Sequence, residues 1–344
     1  MARRTKLVVT GVAIALVAAA TPAPAAPSST RRARVAARYI ANQQAPDGSI
    51  AFFSSIGSTA DAVLAFVAAR RGAGAAEDAL DYLRSQTASP DSEGETVDTV
   101  GEKAKVSLAA VAGGRDPRDF GGRNLVGEIK SVERRGGRYG RDTSVFDQAL
   151  AILALKAAGA PGSRRAARWL AGAQCRDGGW QFDRPAQAAE NRHCSTGEDD
   201  DFFASDTNTT SYALMALEAK RARVDSSPFR FLRRARDERK GGWGYDRSSI
   251  TDANSSALVL QAYAAKDRTP PSGARSALRD LQFRLCGRRA GAFAFTWVPR
   301  AGGGLERDGR NLGATIGAVL GLLERPLPLG PFELTRPAPR GKPC

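Results

Sequence analysis

RWLAGAQCRDGGW (Arg168–Trp180) and DTNTTSYALMALEAK (Asp206–Lys220) are the two stretches that decide the fold of this chain of 344 residues. The first is an arginine-rich helix that runs into a loop of glycine and tryptophan. The second is a helix of small and apolar residues, opened by a residue type that caps helix N-termini. Such pairs recur six times, the pattern of a protein built from repeated helical hairpins. The second helices open at Ser58, Asp98, Asp142, Asp206, Asp252 and Asn311.

The partner helices and the loops complete each unit. Glycine in the loops permits the positive φ that a helix exit needs, and we expect loop aromatics such as Trp180 and Trp243 to pack the loops onto neighbouring helices. The repeats therefore predict an all-α protein, an α/α toroid of six helical hairpins with six inner and six outer helices. The outer helices are expected at Arg32–Asn42, Ala75–Ser85, Arg123–Ser131, Ser163–Ala173, Pro228–Ala235 and Gly273–Phe283.

The start of the chain has the features of an export signal. Arg3, Arg4 and Lys6 precede an apolar run over residues 7–20, and residues 23–25 form a small-residue cleavage site. The apolar run is short for a membrane span, so we expect a secreted or cell-wall-associated product, with the export route left open. The predicted divisions are a signal peptide (1–25), a linker (26–31), the toroid with six repeats (32–326) and a Pro-rich tail (327–344).

The chain is strongly basic, with a formal net charge of +15 that falls to +12 once the three basic residues of the signal are removed. A basic exported protein attracts anionic wall polymers, which are candidate partners. The charges are scattered and are not interleaved with stacking aromatics, so no nucleic acid partner is expected. An unknown small molecule, lipid or glycan is the other expected partner.

Four cysteines in an exported chain allow three disulfide pairings. We favour Cys175 with Cys194, which closes the long loop of the fourth hairpin, and Cys286 with Cys344, which ties the tail to the sixth. A loop of the first size is stabilised by roughly 3 kcal/mol in chain-entropy terms.

Arg168–Trp180 resembles the Gln-Trp repeat of the squalene cyclase and protein prenyltransferase superfamily. Weaker copies occur at Gln43–Gly48, Phe231–Trp243 and Gln282–Phe293. The resemblance covers about Arg32 to Pro326, and it implies the α/α toroid of that superfamily, with inner helices lining a funnel.

A closer likeness is to exported bacterial proteins that carry this repeat without an assigned reaction. It rests on Gln174-Cys175 with Cys194, and on the run from Asp252 to Leu258. The run Ala314–Val319 is also similar to the close of the helical domain of cobalamin carriers such as transcobalamin, which is a looser resemblance.

The catalytic residues of the resembled enzymes are not retained. Squalene-type cyclases carry an Asp-X-Asp-Asp motif where this chain has Phe203-Ala204-Ser205-Asp206, so one of the three aspartates is kept. Prenyltransferases hold zinc with an Asp, a Cys two residues later and a His, whereas Asp206 is followed by Asn208 and the single histidine is His193. We expect no metal and no cofactor, and the protein is more consistent with a binder than with an enzyme.

A polar stripe follows the predicted inner helices. Counted from each predicted capping residue, polar side chains recur at positions that share one helical face, and we expect this face and the six converging helix N-termini to meet a ligand. Tyr212 is the nearest aromatic. The candidate ligand-binding residues are Asp142, Ser144, Asp147, Asp206, Asn208, Ser211, Tyr212, Asp252, Asn254 and Gln261.

Three functions fit these features. The leading hypothesis is a non-catalytic binder of a small or extended ligand, an isoprenoid, a corrinoid or a glycan, in the lumen. The first alternative is an isoprenoid-processing or carbohydrate-active enzyme that uses the lumen carboxylates Asp147 and Asp206. The second is a structural scaffold that contacts the cell wall through its basic outer surface.

Overall fold

The computed structural model describes residues 28–88, 95–183, 204–224, 227–287 and 289–332. The predicted signal peptide lies outside this part of the chain. The described residues form twelve helices in which outer and inner helices alternate along the sequence. The outer helices are α1 (Ser29–Ala41), α3 (Ala73–Ala88), α5 (Leu125–Ser131), α7 (Arg164–Gly172), α9 (Ser227–Arg234) and α11 (Ala274–Asp280). The inner helices are α2 (Ser55–Ala69), α4 (Val100–Ala112), α6 (Val145–Ala157), α8 (Thr207–Ala219), α10 (Ala253–Ala265) and α12 (Leu312–Leu323).

The inner helices form a closed ring. Each packs against the next inner helix along the chain, and α12 returns to pack against α2. The first outer helix, α1, lies against both α2 and α12, so the first and last hairpins meet at one seam. The predicted α/α toroid is confirmed.

The two classes of helix differ because their environments differ. An inner helix such as α6 is buried on nearly every side, and its alanines and leucines are apolar all round. An outer helix such as α7 is amphipathic, with Ala166, Ala167 and Leu170 buried and its arginines on the opposite face. The small alanine side chains of the inner helices allow these helices to approach one another closely.

Three of the predicted caps are correct. Asp206, Asp252 and Asn311 each accept a hydrogen bond from the backbone N–H three residues later, at 2.6, 2.7 and 2.8 Å. The other three predictions were wrong by one to four positions, because a neighbouring hydroxyl serves as the cap. The observed caps are Ser54 rather than Ser58, Thr99 rather than Asp98, and Ser144 rather than Asp142.

The loop tryptophans pack as predicted. Trp180 and Trp243 are fully buried, and their indole N–H groups donate to the carbonyls of Leu170 and Leu232 at the end of the preceding outer helix, at 2.8 and 2.6 Å. Each loop is thereby fixed to its own hairpin.

A glutamine in three of the loops joins one hairpin to the next outer helix. Gln174 donates from Nε2 to the Gly178 carbonyl at 2.9 Å and to the Ser227 hydroxyl at 3.0 Å. Gln44 bridges its loop to α3 in the same way, and Gln282 bridges the sixth loop to α1. The repeat residue that carries the family resemblance therefore connects neighbouring units.

Short antiparallel ladders lie in the loops that lead into the inner helices. The pairs are β1 (Trp180–Gln181) with β2 (Ser205–Asp206), β3 (Phe293–Ala294) with β6 (Arg310–Asn311), and β4 (Trp297–Pro299) with β5 (Leu305–Arg307).

The segment after α12 crosses the C-terminal end of the ring. The Leu327 N–H donates to the Met215 sulfur on α8 at 3.4 Å, and the Phe332 N–H donates to the Ala112 carbonyl on α4 at 3.2 Å. The described start of the predicted tail, residues 327–332, thus forms a floor beneath the inner helices. None of the helices in the described ranges is long and apolar enough to cross a membrane.

Candidate functional site

The ring encloses a cavity of about 290 Å³ to which all six inner helices contribute. Phe52 and Phe53, whose side chains are 38% and 92% exposed, border it at the N-terminal ends of the helices. At the other end Leu327 is 6% exposed and belongs to the floor. The lining residues are Phe52, Phe53, Ser54, Gly57, Ser58, Asp61, Leu64, Lys105, Phe146, Asn208, Tyr212, Asn254, Leu258, Gln261, Gly313, Ile316, Gly317, Leu320 and Leu327.

Four of the residues predicted from the sequence line this cavity: Asn208, Tyr212, Asn254 and Gln261. They lie on α8 and α10, two of the three helices whose caps were predicted correctly. On these two helices most of the predicted stripe points toward the lumen, as expected from helical periodicity, whereas Ser211 does not line the cavity.

The other predicted residues lie elsewhere. Asp142 is exposed ahead of α6. Ser144 is the α6 cap, and its Oγ accepts from the Asp147 N–H at 2.9 Å. Asp206 and Asp252 are buried caps. In each of them Oδ1 accepts from a backbone N–H of its own helix end.

Asp147 and Ser211 face neighbouring backbone rather than the lumen. A Cβ placed on Gly101 of α4 would overlap the Asp147 carboxylate, so Asp147 is packed into the α4–α6 contact. The pKa of Asp147 is raised, mainly because the carboxyl group is buried. Ser211 is fully buried and donates to the Thr207 carbonyl at 2.7 Å.

An ion pair that the sequence did not reveal lies on the cavity wall. Lys105 Nζ on α4 is 2.7 Å from Asp61 Oδ2 on α2, and the two side chains are 23% and 36% exposed. The pKa of the nearby Tyr212 phenol is raised, first by burial and second by the negative charge of Asp61. The wall between α2, α4 and α8 is thus polar and fixed.

Two amide oxygens on the opposite wall have no hydrogen-bond partner among the described residues. Gln261 is 3% exposed and donates from Nε2 to the Ala257 carbonyl at 3.2 Å, while its Oε1 is unpaired. Asn254 Oδ1, two helical turns away, is also buried and unpaired. Leaving such an acceptor without a donor costs about 1–3 kcal/mol.

Aromatic rings form another part of the lining. The rings of Phe146 and Tyr212 meet edge to face with centroids 4.7 Å apart. The ring of Phe146 also lies beside the ring of Phe182, with centroids 5.5 Å apart. Phe52 lies against Gly313, where a Cβ would overlap its ring. The cavity therefore has apolar and hydrogen-bonding surfaces facing each other.

At the converging helix N-termini, where an anion site is expected, part of the N–H donors are already in use. In each inner helix an N–H of the first turn donates to the helix's own capping side chain. At α2, Glu95 additionally accepts from the Ile56 N–H at 3.0 Å and from the Ser54 hydroxyl at 2.8 Å. These donors are already satisfied.

Among the described residues, Asp61 is the single carboxylate that lines the cavity. Glycoside hydrolysis needs a pair of carboxyl groups about 5–9.5 Å apart across the scissile bond. Nor do any three His, Cys, Asp or Glu side chains in the described ranges lie close enough together to hold a metal ion.

The predicted disulfide pairing stays a prediction. Neither Cys175 nor Cys286 is a free thiol, whereas Cys194 and Cys344 lie outside the described residues. His193 lies outside them as well, as do all of residues 184–203.

No protein-family model matches the sequence, and no curated protein matches it. Solved structures do match its fold. The GH76A α-1,6-mannanase of Salegentibacter sp. HEL1_6 superposes with a TM-score of 0.55 at 12% identity, over 87% of this chain and 99% of the mannanase chain. A glycosyl hydrolase of family 88 from Bacteroides vulgatus gives 0.54 at 10% identity, over 87% and 99%.

The ent-copalyl diphosphate synthase of Streptomyces platensis gives a TM-score of 0.46 at 16% identity, over 78% of this chain and 50% of the synthase chain. This similarity is too low to support a functional argument. The matches to the mannanase and to the family 88 hydrolase show the α/α toroid fold that the sequence resemblance implied. The likeness to exported bacterial repeat proteins and to cobalamin carriers stays a prediction.

Proposed function

We propose that this protein is an exported α/α toroid that binds a carbohydrate in its lumen without transforming it. The observation that carries the proposal is that Asn254 and Gln261 line the cavity, and that their buried amide oxygens have no hydrogen-bond partner among the described residues. Buried acceptors of this kind require donors. Sugar hydroxyls supply them, whereas the hydrocarbon chain of an isoprenoid does not, and a cavity of about 290 Å³ encloses only a part of a corrinoid.

The remaining wall suits a sugar ring. Phe146 and Tyr212 offer an aromatic surface to the apolar face of a pyranose. The Lys105–Asp61 pair offers charged donors and acceptors to its hydroxyl groups. Among the fold neighbours, the mannanase has also been solved as an inactive variant, with two aspartates replaced, in complex with alpha-1,6-mannotriose.

Binding of α-1,6-mannotriose, measured by titration calorimetry against maltotriose, tests the proposal. We expect saturable binding of a mannose-containing chain and a loss of about tenfold in affinity in Gln261→Leu, since one hydrogen bond to the ligand is removed. Absence of saturable binding of either sugar would contradict the proposal and favour the scaffold alternative.

Catalysis is the second candidate function, because two of the fold neighbours are glycoside hydrolases by name. It would need a second carboxylate besides Asp61. Turnover and binding are therefore measured separately in Asp61→Asn and Asp147→Asn. Detectable sugar release that Asp61→Asn abolishes while binding persists would establish an enzyme and overturn the non-catalytic reading.

A further inference from the structure

A second recess lies on the outside of the ring, at the seam where the first and sixth hairpins meet. It is a groove of about 730 Å³ between α1, α11 and the β4–β5 hairpin. Four arginines line it or its edge: Arg32, Arg279, Arg284 and Arg307. It shares no residue with the lumen cavity.

A buried glutamine holds two of these arginines in place. Gln282, 4% exposed, accepts at Oε1 from Arg32 Nη1 at 3.1 Å. Its backbone carbonyl accepts from Arg307 Nη1 at 2.6 Å. The Arg307 guanidinium also lies over the Phe283 ring, with Cζ 4.7 Å from the centroid. The two guanidinium groups are therefore oriented before any ligand binds.

The positive charge of the groove exceeds the negative charge that the described part of the chain places there. Asp280 and Glu306 line the groove, yet none of its four arginines forms an ion pair with a described residue. Arg32 Nε is buried without a hydrogen-bond partner. Burial lowers the pKa of Arg32 and the like charge of Arg279 lowers it further, while the negative charge of Asp280 opposes the shift. Such an arrangement is stabilised by an anion.

We propose that this groove is a binding site for a phosphate-class oxyanion, held between Arg32 and Arg279 on one side and Arg307 on the other. Guanidinium groups present planar pairs of donors that match the oxygens of a phosphate. Arg284 adds charge at the edge of the groove. Because the site joins α1 to α11, a bound phosphate links the first hairpin to the last and stabilises the closed ring.

Calorimetric titration with inorganic phosphate, and separately with long-chain polyphosphate, tests the site at constant ionic strength in chloride buffer. The informative variant is Arg279→Gln with Arg284→Gln, because both side chains line the groove and neither is bonded to Gln282. The matched control is Arg34→Gln with Arg38→Gln, which removes the same charge from exposed positions of α1 outside the groove.

We expect binding to the wild type and the control, and a loss of at least about tenfold in the groove variant. Saturation by inorganic phosphate identifies a single oxyanion as sufficient, and saturation by polyphosphate alone identifies a phosphate polymer as the source; each supports the site if the groove variant loses it. Equal weakening in both double variants, or no binding of either probe, overturns the proposal, since the first result is the general effect of net charge.

A thermal readout separates the site from a folding defect. In wild type and control, phosphate should raise the melting temperature more than chloride at the same ionic strength. The groove variant should melt near the wild type without phosphate and lose the additional increase. An increase of the same size in the groove variant and in the wild type would also contradict the assignment, because it would be the general effect of phosphate on folded proteins.

Discussion

Gln148 and Gln261 are both buried glutamines of inner helices, but only one has all its hydrogen bonds. Gln148 Oε1 accepts from the Tyr139 N–H at 2.9 Å, and its Nε2 donates to the Gly137 carbonyl at 3.0 Å. Gln261 Oε1 has no partner among the described residues. The first glutamine serves the fold, whereas the second is kept at a cost to stability.

This difference predicts opposite effects of one substitution. Gln261→Leu should raise the free energy of unfolding by about 1 kcal/mol, because it removes an unpaired buried acceptor. Gln148→Leu should lower it by about 2 kcal/mol or more, because it leaves two backbone groups unpaired. Urea unfolding of the two variants measures both. A loss of stability in Gln261→Leu similar to that in Gln148→Leu would show that Oε1 is already satisfied.

The buried caps Asp206 and Asp252 predict a pH dependence. Burial raises the pKa of each from 3.8 to about 7, against the opposing effect of the hydrogen bonds that each accepts. A folded-state pKa above the unfolded value means that the folded state binds the proton more tightly. The stabilising contribution is therefore complete below about pH 4 and is lost as the pH rises through 7.

Between pH 5 and 7 we expect the free energy of unfolding to fall by about 1 kcal/mol or more for each pH unit. Asp252→Asn keeps a good capping residue without the titration, so its stability should fall less steeply. The exposed Asp142→Asn serves as the control and should follow the wild type. Parallel curves for Asp252→Asn and wild type would contradict a raised pKa at this cap.

At the level of the helix, the position of the first residue decides which side chains reach the lumen. Asp142, Thr143 and Ser144 are all residues that can cap, and the sequence alone does not select among them. A shift of two residues rotates a helical face by about 200°. This shift moves Asp147 from the lumen to the α4 contact and brings Phe146 into the cavity.

The repeat pattern was sufficient for the helices and their closure, since six copies of one hairpin must bury the same apolar faces. The repeat pattern was not sufficient to predict the ion pair between Lys105 and Asp61. Their pairing depends on how α2 and α4 are rotated relative to each other, and a charged residue on an alanine-rich helix has the same appearance in sequence whether it faces solvent or a cavity.

Glycine sets how closely two inner helices approach. A Cβ on Gly321 of α12 would overlap the backbone of Ala257 on α10, and a backbone cannot move aside as a flexible side chain does. Gly321→Ala should therefore lower the free energy of unfolding by about 1–3 kcal/mol despite the better helix propensity of alanine.

The control for this variant is Gly74→Ala in α3, where the added Cβ meets nothing within 4 Å. That variant should gain up to about 1 kcal/mol. Chemical unfolding gives both values. Equal effects of the two substitutions would mean that α10 and α12 are not in close contact at this point.

At the level of the whole molecule, a closed ring differs from an open array because it has no terminal repeats. Repeats in an open array contact only their neighbours, so the array can fray from its ends. Here α12 packs against α2, and the sixth loop binds α1 through Gln282. Opening the seam should then expose every inner helix to the same extent, including α6 and α8 on the far side.

Gly291 lies at this seam. Its φ is +90°, and a Cβ would lie 2.5 Å from the carbonyl group of Val35 in α1. Gly291→Ala should cost at least about 2 kcal/mol and speed amide hydrogen exchange in all six inner helices by a similar factor. Gly287→Ala has the same kind of positive φ, +100°, but meets nothing within 4 Å, and so measures backbone strain alone. Faster exchange confined to α1, α11 and α12 in Gly291→Ala would mean that the ring opens locally and that closure does not make its unfolding cooperative.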